Sequence, residues 1–81
     1  MKAQEMFEKL GYKRNDWSEF TISYTRKKLN KSQTSTIEFD TNCKIIRTQS
    51  TEYGNIKSKQ LTIEQLKAIN QQCKELGWLD D

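Results

Sequence analysis

The chain has 81 residues, 33% hydrophobic and 31% charged, with fourteen basic side chains against eleven acidic ones and a net charge of +3. That length leaves room for one domain with a modest core, and the regular spacing of its apolar residues argues against disorder. No stretch approaches the roughly 20 apolar residues of a membrane-spanning helix. The opening Met1-Lys2-Ala3-Gln4-Glu5 lacks secretory character, and two Cys thirty positions apart do not make a disulfide framework, so the cytoplasm is the expected compartment.

Residues 3–10 read as a first helix, because Ala3, Met6, Phe7 and Leu10 recur at the spacing of one apolar face. Gly11 supplies a left-handed stop, and Tyr12 is placed to pack on Phe7. The period then changes to two. Over residues 17–26, Phe20, Ile22 and Tyr24 alternate with Glu19, Thr21, Ser23 and Thr25, as in a half-buried strand. Leu29-Asn30-Lys31-Ser32 reads as a hairpin loop, followed by a strand at residues 34–40 that turns Ile37 and Phe39 inward. Thr41-Asn42 suits a turn because Asn tolerates positive φ. A third strand spans about residues 44–51, with Ile46 on the buried face if the loop is of even length and Ile45 if it has three residues; Ile46 is favoured. Glu52-Tyr53-Gly54-Asn55 reads as a turn, and residues 56–60 as a short edge strand.

The last segment carries nearly every helix signal. Thr62 is an N-cap and Gln65 can close a capping box, Leu61 and Leu66 can form a hydrophobic staple, and Gly77 ends the helix so that Trp78 folds back on Cys73. The expected apolar stripe is Ile63, Leu66, Ile69, Cys73 and Leu76, with Lys67, Gln71, Gln72, Lys74 and Glu75 outside. The fold class is therefore α+β: a three- or four-stranded antiparallel meander with an N-terminal and a C-terminal helix on one face, and an open face rich in Thr, Ser and Gln.

Chemistry is sparse. The chain has no His, which removes the commonest general base and the commonest metal ligand. Cys43 and Cys73 lack any CxxC neighbour, and the three Gly are too scattered for a phosphate loop. Asp16 with Glu19, and Glu38 with Asp40, are acidic pairs by proximity only; the latter would share a solvent face and stay ionised. Cys73 lies in the apolar stripe and reads as a buried structural thiol. Neither catalytic residue, cofactor nor metal is implied, and an enzyme is not expected.

Charge is the asymmetric feature. Residues 13–59 hold ten basic and five acidic side chains, densest at Arg26-Lys27-Lys28-Leu29-Asn30-Lys31. A candidate nucleic-acid surface is Arg26, Lys27, Lys28, Lys31 and Arg47, with Trp17 and Tyr53 as stacking platforms. Lys and Arg at hairpin tips equally serve to prevent edge-to-edge aggregation. A candidate protein interface is Trp78 and Leu79, since exposed aromatics anchor interfaces, although Trp78 has a competing role in closing the helix cap.

The run from Leu61-Thr62-Ile63-Glu64-Gln65 to Leu76-Gly77-Trp78-Leu79-Asp80-Asp81, with the opening Met6-Phe7-Glu8-Lys9-Leu10-Gly11-Tyr12, resembles small proteins encoded by phages and prophages of low-GC Gram-positive bacteria. The match covers about a third of the chain, in capping and core motifs. The resemblance implies a bacterial cytoplasm and an accessory role, with no activity or catalytic residue to carry over. The expectation is a non-enzymatic module, monomeric or weakly dimeric, directed at a host or phage protein. The alternative is a weak, sequence-tolerant nucleic-acid binder.

Overall fold

The first helix, α1 (Ala3–Lys9), is seven residues long and has no side-chain N-cap, so tertiary contacts must hold it. Its end is a full Schellman motif: Tyr12 N–H donates to Phe7 O (3.0 Å), Gly11 N–H donates to Glu8 O (3.0 Å), and Gly11 sits at φ +89°. The second helix, α2 (Ile63–Glu75), ends the same way, with Trp78 N–H on Cys73 O (2.9 Å) and Gly77 at φ +74°. It begins with the capping box expected of Thr62 and Gln65. These details come from a computed structural model that describes residues 1–28, 32–53, 55–57 and 60–79. Leu29, Asn30 and Lys31 of the expected hairpin loop lie outside the described residues, as do Gly54, Ser58, Lys59 and the two terminal Asp.

Between the helices runs one antiparallel meander in chain order: β1 (Lys13–Arg14), β2 (Thr21–Lys28), β3 (Gln33–Asp40), β4 (Ile45–Glu52) and β5 (Asn55–Lys57). The α+β arrangement is the one its sequence periods predict, extended by a two-residue strand too short and too charged to show an alternation. The β3–β4 loop is even. Asp40 Oδ1 accepts from the N–H groups of Asn42 and Cys43 (both 3.0 Å), and Lys44 takes a positive φ of 57°. Phe39 therefore pairs with Ile46, which puts Ile46 on the helix side as expected.

Both helices lie over that side. The core joins Ala3 and Phe7 from α1, Tyr12, Tyr24, Ile37 and Phe39, and Ala68, Ile69 and Cys73 from α2. Phe7 is its centre, stacked on Tyr24 at 4.0 Å between ring centroids and edge-on to Tyr12 and Phe39.

Two expectations fail. Phe20 is 56% exposed, because β2 begins after it, at Thr21, and its carbonyl instead receives Thr41 N–H. The buried face of α2 is also rotated from the apolar stripe. Ile63 and Leu66 are exposed, as is Leu61 of the expected staple, whereas Gln65 and Gln72 are buried at 4% exposure each. The reason is specific pairing. Gln72 Oε1 accepts from Tyr24 Oη (2.6 Å), and Gln65 Nε2 donates to Tyr12 Oη (3.1 Å), so four buried polar groups satisfy one another.

Candidate functional site

Strand alternation divides the basic cluster. Tyr24 faces the helices, so Arg26 and Lys28 share its side and Lys27 lies on the open face. Arg47 is also on the open face, opposite Glu38, and its guanidinium meets Glu38 Oε2 (3.5 Å) and Asp40 Oδ2 (3.2 Å). Its charge is locally neutralised in an exposed network, which solvent screening leaves with little effect on stability. Lys31 lies outside the described residues. The five expected residues thus do not form one described surface. Alternation alone could have shown this for Arg26, Lys27 and Lys28.

The open face carries Thr25, Thr36 and Gln49 in one cross-strand row, and Lys27, Thr34, Thr51 and Ile56 in the next. At the β1 edge a cleft of about 490 Å³ gathers Lys13, Arg14, Lys27 and Asn15. Trp17, expected as a stacking platform, donates its indole N–H to Glu38 Oε1 (2.6 Å) while remaining 68% exposed. Tyr53 is 67% exposed. Trp78 is half-buried and packs on Phe39, so it belongs to the cap and core rather than to a free interface; Leu79 is exposed.

The two sheet edges differ. Along β2, Asn15 N–H donates to Ser23 O (2.8 Å) and Asp16 Oδ1 accepts Ser23 N–H (3.1 Å). Burial pushes the Asp16 carboxyl up, but Arg14, bonded at 2.9 Å, and the Ser23 N–H outweigh it and hold the group below its ordinary value. Stability from this clamp is therefore present above the unfolded carboxylate's range and lost as pH falls through the lowered folded value. Asp16→Asn should flatten part of the acid limb of stability, read as urea midpoints from about pH 5 to about pH 2. Along β4, the pairing with β5 among the described residues covers Ser50, Thr51 and Glu52. Among the described residues, 45–49 have no strand on that side, and Ile45 and Ile46 are 46% and 37% exposed on its two faces.

A third feature escaped the sequence reading. Ser35 and Ser50 face each other across β3 and β4 on the helix side, at 3% and 6% exposure, and line a cleft with Arg26, Lys28, Gln33, Gln60, Thr62 and Gln65. The available signal was polar residues at inward strand positions.

Cys73 is buried, which pushes its thiol up, while Cys43 is exposed. Among the described residues, no group of three or more His, Cys, Asp or Glu is placed to hold a metal ion, and no helix is long and apolar enough to cross a membrane. Comparison with protein-family models, curated proteins and solved structures returned no match to this chain.

Proposed function

We propose that this domain is a non-enzymatic binding module whose working surface is the outer edge of β4 and whose partner is an extended polypeptide added as a further strand. The observation that carries the reading is the stretch at residues 45–49, whose outer side is paired by no strand among the described residues and which includes exposed Ile45 and Ile46. Natural sheets blunt their edges with charge, Pro, bulges or covering chain. The β2 edge has such a cover in Asn15 and Asp16, whereas the β4 stretch has no strand partner on its outer side among the described residues and carries exposed apolar side chains on both faces. Strand addition uses those two elements, main-chain bonds for affinity and alternate side chains for specificity. The resemblance of both chain ends to phage-encoded proteins supports a prophage accessory role in a bacterial cytoplasm, with a host or phage protein as partner.

The test is capture from nuclease-treated bacterial lysate in moderate salt, comparing the natural chain with Ile46→Lys and with Lys27→Glu. Ile46→Lys should lower capture of a specific protein about tenfold, because a lysine on an edge strand opposes strand addition. Lys27→Glu should leave it unchanged. Equal capture by Ile46→Lys would overturn the edge reading. Retention that depends on nucleic acid and on Lys27 would favour the second reading, a sequence-tolerant nucleic-acid contact at the cleft where Lys13 and Lys27 meet Arg14, itself paired with Asp16, beside a Thr-rich face.

A further inference from the structure

From the cleft between the N-terminus of α2 and the far ends of β2, β3 and β4, we infer a binding site for a phosphate group, carried by a small molecule or as the free ion. Its volume is about 270 Å³, and its lining residues are Arg26, Lys28, Gln33, Ser35, Ser50, Gln60, Thr62 and Gln65. Among the described residues, two cations line it and no carboxylate does. Glu52, which stands across from Gln33 in register, is not among the lining residues and has an interaction of its own.

Four observations converge. First, Ser35 and Ser50, more than nine-tenths buried as residues, both line the cleft. A small hydroxyl on each of two facing strands offers a ligand's oxygens a donor without filling the space. Second, Arg26 is incompletely satisfied. It lies 5.0 Å over the Tyr12 ring and donates one bond to Leu10 O (3.2 Å), but its Nε is buried without a partner, and among the described residues it has no ion pair. Third, the cleft meets the first turn of a thirteen-residue helix, whose N-terminus favours an anion.

Fourth, Gln65 cannot collapse into the space. Its Oε1 accepts Thr62 N–H (2.9 Å) and its Nε2 donates to Tyr12 (3.1 Å), so it is a fixed wall. Donors therefore approach from three strands and a helix end. A tetrahedral group with several acceptor oxygens and nearly two negative charges answers that geometry and the two cations together. This site is independent of the β4 edge and stands or falls separately.

The experiment is titration of the isotope-labelled chain with inorganic phosphate, and separately with adenosine monophosphate, against chloride at matched ionic strength, followed by amide shifts. Saturable shifts at Ser35, Ser50, Ile63 and Glu64 are expected with phosphate and not with chloride. Lys28→Gln, an exposed position that should keep the fold, should weaken the phosphate Kd about tenfold, the equivalent of about 1.4 kcal/mol. Ser35→Ala with Ser50→Ala should weaken it without lowering the thermal midpoint, which separates ligand binding from packing. Tighter binding of the nucleotide would assign the phosphate to a carried group, and equal binding would assign it to the free ion. The inference is overturned by the absence of saturable shifts at tens of millimolar phosphate, by equal shifts in chloride, by shifts centred on Lys13 and Lys27, or by unchanged affinity in Lys28→Gln.

Discussion

Phe7→Ala should leave the domain largely unfolded at room temperature, with a loss of about 3–5 kcal/mol. Phe7 is fully buried and touches three other aromatic rings, one of them stacked at 4.0 Å. It is also what fastens α1. Seven residues without a side-chain cap cannot sustain a helix alone, so loss of the ring releases the helix as well as opening a cavity. A small domain commonly has a stability near the low end of the usual range, about 5 kcal/mol, so little would remain. Met6→Ala, from a half-buried neighbour on the same helix, should cost markedly less. Urea denaturation followed by circular dichroism distinguishes the two, and a Phe7→Ala midpoint close to that of the natural chain would contradict the placement of this ring at the centre of the core.

Local signals in the chain were legible because they are self-contained. The capping box at Thr62 and the two glycine stops depend on residues within six positions of one another, and each forms as expected. Strand parity was equally readable from Ile37 and Phe39, whereas the loop after Asp40 was open between an even length and three residues, and the favoured even length is the one that forms. What was not legible depends on partners distant in sequence. Gln72 looks like a solvent residue until Tyr24, 48 positions earlier, is placed against it. With that partner, a glutamine displaces Ile63 and Leu66 from the buried face.

The candidate surfaces follow the same division. Charge density suggested a single basic hairpin patch, but density carries no face. Arg26 and Lys28 alternate with Lys27, and Arg47 is taken up by Glu38 and Asp40. The β4 edge depends on how far β5 runs beside it, and the Ser35–Ser50 cleft on which part of the sheet the helices leave uncovered. Neither quantity is written in a local pattern.

Breaking one half of the Tyr24–Gln72 pair should cost more than removing both. The bond is 2.6 Å between groups that are both buried, so Tyr24→Phe leaves the Gln72 amide oxygen unpaired in the core and Gln72→Leu leaves the phenol without its acceptor. Each single change should destabilise by about 1–3 kcal/mol, the usual penalty for a stranded buried polar group. In the combined Tyr24→Phe, Gln72→Leu chain both polar groups are gone and the shapes are nearly kept. Its stability should recover most of that loss, giving a coupling energy of about 1–2 kcal/mol. The pair also sets an alkaline limit. Burial pushes the Tyr24 phenol up to about 12. The folded state thus holds its proton after the unfolded chain has released it near pH 10, so stability is intact below about pH 10 and declines as pH rises toward the folded value. Tyr24→Phe should remove this tyrosine's share of that decline while leaving the acid limb unchanged. Additive losses in the double variant, with an unaltered alkaline decline in Tyr24→Phe, would mean that the helix is seated by its apolar contacts alone.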